Sequence, residues 1–216
     1  MLQPQVSITS APTDWRQVFE EVYQDRHTHA FKSGQPIPMA SHDLWIVCRG
    51  IVQLSTLFPS GDEAILGFVY PAMPFGLPLT RLDPYEAIAL SDTVLMKLNH
   101  VELESSPLLA QGVLQQLSRR LQQTEALLAM VSQRRVCDRL QQLLLMLKQE
   151  VGQVTPEGIR LEVRLTHQQL ANLLGTTRVT ITRLLGHLRQ EGWLSIDKTR
   201  HLVINNSLPP SDSSRV

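Results

Sequence analysis

Apolar and polar positions follow two different rhythms along this chain. Between Phe31 and Leu98 the apolar residues come in short runs: LWIVCRG (44–50), IVQLSTL (51–57), AILGFVY (64–70) and TVLMKL (93–98). RG, FPSGDE, PAMPFG and LDPY break them up. Short apolar runs bounded by Gly, Pro and Asp predict strands joined by turns, and several in succession predict a sandwich or barrel-like sheet. From Pro107 the spacing lengthens to that of a helix. Leu117, Leu121, Thr124, Leu128 and Val131 are spaced 4-3-4-3, a short heptad seam suited to pairing with a second subunit's helix. The alternative is a helix that packs on its own domain. A second amphipathic helix carries Val136, Leu140, Leu143, Leu144 and Leu147 on one side and ends near EVGQ. A loose N-terminus with a short helix around Trp15–Tyr23, and a disordered tail SLPPSDSSRV, complete the reading.

The segment after the VTPEG turn (154–158) is the most specific. In THQQ, Thr166 predicts an N-cap with Gln169 three residues on, a capping box. Leu170, Leu173 and Leu174 form the apolar face of that helix, and Gly175 predicts its left-handed stop. Thr177 can cap a second helix, whose Ile181, Leu184, Leu185 and Leu188 fall at i, i+3, i+4 and i+7. Two capped helices about a short glycine turn predict a helix-turn-helix. WLSID and HLVIN flank KTR, which predicts a two-stranded wing with Lys198 and Arg200 at its tip. On the second helix Val179, Arg183 and Gly186 lie opposite the apolar face. In a helix-turn-helix that side enters the major groove of double-stranded DNA. Arg183 can there donate to guanine O6 and N7, and Val179 can cover a thymine methyl. Arg178 can reach a phosphate or a neighbouring base, and Gly186 lets the groove wall approach. The alternative is a helix docked on another domain through Val179, with its arginines solvated.

Composition narrows the classes. The chain has 216 residues, 43% hydrophobic and 19% charged, which fits one large soluble domain or two smaller ones. No apolar run is long enough to span a membrane, and MLQPQVSITSAPTDW has no signal-peptide pattern. The cytoplasm is therefore the expected location. Cys48 and Cys137 are too few for a disulfide framework or a cysteine metal site. His27, His29 and His42 fit ordinary surface residues better than haem ligands. Net charge is zero, but residues 1–100 carry 6 Lys and Arg against 10 Asp and Glu, and residues 155–206 carry 7 against 4. An acidic first half and a basic end suit a sensing domain joined to one that meets a polyanion. No paired carboxylates, nucleophile–base constellation or phosphate loop suggests an enzyme, so neither a catalytic nor a metal residue is expected.

The stretch RLTHQQLANLLGTTRVTITRLLGHLRQEGWLSI (164–196), together with SRRLQQTEALL (118–128), resembles the Crp/Fnr family of bacterial transcription factors. The recognition helix is most similar to that of the family's cyanobacterial nitrogen regulators. The resemblance implies an α+β fold. A cyclic-nucleotide-binding-like β-roll would cover 1–104, a long dimerisation helix and connecting helix 105–153, a winged helix-turn-helix 154–206 and the tail 207–216. It implies a homodimer on a palindrome with GTA and TAC half-sites, about one helical turn apart. Leu117, Leu121, Thr124 and Leu128 would form the dimer seam. Arg178, Val179 and Arg183 would carry specificity. Thr166, His167, Thr177, Thr182, Lys198 and Arg200 would contact phosphates, which position without reading sequence. RNA polymerase is the partner such an activator implies, and a co-activator protein is a further candidate.

The effector follows from the same resemblance. Cyclic-nucleotide-binding members share an FGE stretch and a later Arg-Ser, Arg-Thr or Arg-Ala pair. Here the stretch is FGLP (75–78) and no such pair follows in the roll, so the acidic ribose ligand and the phosphate arginine are both missing. A cyclic-nucleotide-responsive regulator is the alternative reading, with cyclic nucleotides the least expected effectors. For 2-oxoglutarate, the nitrogen regulators' ligand, the matching positions are Phe75, Gly76, Leu77, Arg81, Arg120 and Glu125. An exposed Arg120–Glu125 pair is the plain alternative. Pro78 lacks an N–H and Asp83 stands where a second ligand arginine aligns. The expectation is therefore weak or absent 2-oxoglutarate binding, or an answer to another small anion. A ligand- or protein-binding sensor module with incidental DNA binding is the remaining alternative.

Overall fold

The structure is a computed structural model that describes residues 26–205. The helix expected around Trp15–Tyr23 and the tail over 207–216 lie outside the described residues. The chain starts with seven strands: β1 (Thr28–Phe31), β2 (Leu44–Arg49), β3 (Val52–Leu57), β4 (Glu63–Val69), β5 (Pro74–Phe75), β6 (Glu86–Ala89) and β7 (Thr93–Leu98). They form two antiparallel sheets, ordered β1-β7-β2-β5 and β4-β3-β6. Four of the seven are the apolar runs seen in the sequence, to within two residues at either end.

Strand β2 shows why LWIV is an unbroken apolar run rather than an alternating one. Side chains alternate across a strand. Trp45 and Val47 enter the core between the sheets with Leu54, Phe68 and Leu95. Leu44 and Ile46 point the other way, into a second cluster with Met96, Leu98, Leu109 and Val113. The last two belong to the long helix, so β2 is buried on both faces.

Helix α1 (His100–Ser105) leads into α2 (Pro107–Val131), which Ser106 caps and Pro107 opens, the first-turn position where a missing N–H costs nothing. Helix α3 (Val136–Val151) buries Leu140, Leu143, Leu144 and Leu147, as the sequence spacing predicts. The turn predicted at VTPEG joins strands β8 (Gly152–Thr155) and β9 (Gly158–Leu161). Helices α4 (His167–Leu174) and α5 (Arg178–Gln190) follow, then β10 (Leu194–Ile196) and β11 (Leu202–Ile204). The last four strands make one sheet, ordered β10-β11-β9-β8. No helix among the described residues is long and apolar enough to cross a membrane.

Polar side chains fasten the C-terminal unit to the roll. Gln169 Nε2 donates to Gln53 Oε1 at 3.0 Å, and Asn172 Nδ2 donates to Glu63 Oε2 at 3.1 Å. Gln53 Nε2 in turn donates to Glu63 Oε1 at 3.0 Å. Gln53 is buried, and these bonds offset the cost of removing its amide from water.

Candidate nucleic-acid interface

Both helices of the C-terminal unit are capped as their sequence predicts. Thr166 Oγ1 accepts from Gln169 N–H at 3.1 Å, and Gln169 Oε1 accepts from Thr166 N–H at 2.9 Å. Gly175 stops α4 at φ 59°, a left-handed conformation in which other residues are strained. Thr177 Oγ1 accepts from Thr180 N–H at 3.2 Å and caps α5. Each such cap is worth about 1 kcal/mol. The turn between the helices is thus fixed from both ends, and Ile181, Leu185 and Leu188 bury α5 on its inner side.

The outer side of α5 is open. Arg178 and Arg183 are exposed, and Val179 is 78% exposed. A Cβ added at Gly186 would meet no atom within 4 Å, so this glycine leaves open space beside the helix. Thr182 Oγ1 donates to Arg178 O at 2.9 Å and pairs with His167 Nδ1 at 2.8 Å. The one hydroxyl hydrogen is committed to the carbonyl, so Nδ1 carries the imidazole proton and donates to Thr182.

At the wing, Asp197 accepts from Thr199 N–H and His201 N–H, each at 2.8 Å, and from the Thr199 hydroxyl. Burial pushes the Asp197 carboxyl up, but those hydrogen bonds outweigh it and hold the carboxyl below its usual range. Lys198 and Arg200 project from this turn, both exposed, with Arg200 at φ 65°. The nine predicted DNA-contact residues thus lie on the ends of α4 and α5 and on the wing tip. All are exposed except His167, which is half-buried.

Residues 135–207 match the family model of the Crp-like helix-turn-helix domain. The global nitrogen regulator of Synechocystis sp. is 35% identical over 190 residues, covering 84% of this chain and 83% of that protein. The chain belongs to the Crp/Fnr family of transcription regulators. Regulatory protein CysR of Synechococcus elongatus is 36% identical over 159 residues, covering 72% of this chain and 73% of that protein. A CRP-family transcriptional regulator of Thermus thermophilus shares the fold, with TM-score 0.71, 21% identity and coverage of 82% of this chain and 92% of that one. This Crp/Fnr protein is a transcription regulator with a winged helix-turn-helix for DNA.

Of the residues predicted to bind effector in this Crp/Fnr roll, Arg120 meets the start of the Phe75–Leu77 segment, bonding the carbonyl of Pro74. Phe75 is fully buried in the core and offers no side-chain contact. Gly76 packs so tightly that a Cβ there would stand 2.4 Å from Asp43 O. Leu77 opens a short 3-10 turn, and Arg81 is exposed beyond it. Glu125 is exposed on α2. Of the six, only Arg120 lines the cleft between the roll and α2, and its guanidinium is already engaged. Nη1 donates to Pro74 O at 2.9 Å and Nη2 to Tyr85 Oη at 3.0 Å. The cleft beside it, between Leu54, Phe68, Gln123 and Leu127, encloses about 20 Å³, room for about one water molecule.

Three of the four residues expected in the seam lie open on α2. Leu121 and Leu128 are exposed at 60% and 65%, with Thr124 exposed between them. Leu117 is instead half-buried against the family roll, packed on the Leu44–Ile46–Met96 cluster. Leu114, absent from the predicted seam, is 66% exposed. The open stripe is Leu114, Leu121 and Leu128, one residue per heptad.

Proposed function

We propose that this protein is a homodimeric, cytoplasmic regulator that reads a palindrome of GTA and TAC half-sites and acts as an activator through RNA polymerase. The observation that carries the base-reading part is the exposed Val179 one turn from the exposed Arg183, on a helix whose opposite side is buried. Leaving a valine in water gains nothing, whereas a valine against a thymine methyl buries apolar surface. The exposed stripe of α2 supports the dimer, and similarity to the cyanobacterial regulators supports the half-site sequence. Arg178, Val179 and Arg183 specify; Thr166, His167, Thr177, Thr182, Lys198 and Arg200 hold phosphate. Selection of bound fragments from random DNA tests this reading. A two-fold symmetric motif with GTA half-sites is the expected outcome, and a pool without any enriched motif would refute it.

The effector response differs from that of a simple 2-oxoglutarate sensor. The support is the pair of internal bonds from Arg120 beside a cleft the size of one water. Two of the five guanidinium N–H donors are committed to the fold, and the cleft must widen before a dicarboxylate can enter. Calorimetry with 2-oxoglutarate is expected to show no micromolar binding, and cyclic AMP the same. Tight 2-oxoglutarate binding that vanishes in Arg120→Ala would overturn this part while leaving the DNA-binding reading intact.

A further inference from the structure

A larger cleft, about 420 Å³, separates the roll from the C-terminal unit. Arg49, Ser91 and Asp92 line it on the roll side; Glu150, Arg160 and Glu162 line it on the other. Local backbone geometry places Arg49 there. The pairing of β2 with β7 shifts register between Val47 and Arg49, a bulge that re-aims the strand end. The chain then turns at Gly50, φ 91°, where a Cβ would stand 2.5 Å from Thr93 Oγ1. Only glycine fits, and Arg49 is left exposed at the rim.

By residue count the lining is acidic, with Asp92, Glu150 and Glu162 against Arg49 and Arg160. The hydrogen bonds offset that excess, because each carboxylate already has a partner. Asp92 accepts from Lys32 Nζ at 2.9 Å and Ser33 N–H at 3.2 Å. Glu150 accepts from Arg119, outside the cleft, and Glu162 accepts from Arg160 at 3.2 Å. What remains unpaired carries hydrogens. The Arg49 side chain makes no hydrogen bond among the described residues, and its charge acts on Asp92 across the cleft wall. Arg160 Nη2 donates to Gln153 Oε1 at 3.0 Å as well as to Glu162, and Nη1 stands 3.8 Å from Asp197 Oδ2, but its Nε is buried without a partner. Ser91 Oγ accepts from Ile51 N–H at 3.1 Å, and its own hydrogen has no acceptor. His201 also lines the cleft. Its Nδ1 pairs with Thr199 Oγ1 at 2.8 Å, and the hydrogen of that hydroxyl goes to Asp197. The ring therefore brings no donor while neutral.

We propose that this interdomain cleft binds a small polyanion, a metabolite bearing phosphate or carboxylate groups, through Arg49, Ser91 and Arg160. Two guanidinium groups reach it from opposite walls, and charge-assisted bonds of this kind are about twice as strong as neutral ones. The volume lies in the usual range for small-molecule sites. The site is separate from the Arg120 cleft and reaches the base of the wing at His201. An occupant would touch the roll and the DNA-binding unit at once, and so would favour the domain arrangement seen here over any in which these walls part.

The experiment uses the full chain, titrated calorimetrically with inorganic pyrophosphate and, separately, with citrate, at constant ionic strength. Saturable binding of one ion per chain is expected for at least one probe. Pyrophosphate binding alone assigns the phosphate class and citrate binding alone the carboxylate class; both outcomes support the site. Arg49→Ala is expected to weaken binding roughly tenfold or more, the worth of a hydrogen bond to a charged group, and Arg49→Lys to recover part of it. Arg49 is exposed, so the variant should unfold at the wild-type temperature without ligand. Arg183→Ala and Arg120→Ala should bind as wild type does. Neither probe binding at millimolar concentration overturns the proposal. So does undiminished binding in Arg49→Ala, or loss in Arg183→Ala, which would move the ion to the DNA face.

Discussion

Leu121→Asp should sediment as a folded monomer and lose its palindrome. Leu121 stands at the middle of the stripe formed with Leu114 and Leu128, and it is 60% exposed in the single chain. An aspartate there is harmless to one subunit, because water still reaches it. Pairing two such helices would bury two carboxylates without partners, at a cost of several kcal/mol. A dimer held by a short apolar seam cannot absorb that. Loss of the dimer removes the second half-site, so palindrome affinity should fall toward that of non-specific binding. Leu117→Asp is the contrasting variant. Its side chain packs on the roll's own cluster, so it should lower the unfolding temperature rather than only split the dimer. Sedimentation velocity beside thermal unfolding separates the two effects. A Leu121→Asp protein that still runs as a dimer would place the interface elsewhere.

Arg183→Ala should cost about 1–3 kcal/mol per half-site and relax preference at one G·C position. The loss is specific because the guanidinium offers two donors to guanine O6 and N7, a pattern no other base pair presents in the major groove. Lys198→Ala, at the exposed wing tip, should weaken every sequence alike and reduce the salt slope by about one counterion. Binding measured on the selected palindrome and on random DNA, each over a salt series, distinguishes them. Equal loss by Arg183→Ala on both DNAs would refute its role as a base reader.

The chain announces its DNA-binding end because that end is built from local chemistry. A capping box needs only Thr166 and Gln169, three positions apart. A left-handed stop needs only Gly175, and the tight wing turn needs only the few residues around KTR. The roll is harder to read. Strand β1 is THAF and half exposed, and β6 is EAIA, four residues long; neither carries a period long enough to stand out. Strand β5 is two residues, defined by its pairing with Trp45 and Ile46. Family likeness names the expected effector positions but carries nothing of their geometry. The partners of Arg120 lie 46 and 35 positions away, at Pro74 and Tyr85. Nothing near Arg120 in the sequence indicates that its guanidinium is occupied. The seam is legible only in part, for a related reason. A heptad pattern states which residues share a helix face, and the roll decides how far Leu117 is drawn under it.

Arg120 and Leu121 are neighbours about 100° apart around the axis of α2. One is tied to the roll and the other faces outward. The two bonds from Arg120 therefore act as a key on a shaft and set the azimuth of the helix. Leu114 and Leu117 sit about 60° apart on the same cylinder. A rotation of that size would withdraw Leu114 and present Leu117, with Leu121 and Leu128 near the contact line in both settings. Losing the bonds from Arg120 to Pro74 and Tyr85 would therefore free the choice between Leu114 and Leu117 at the contact line.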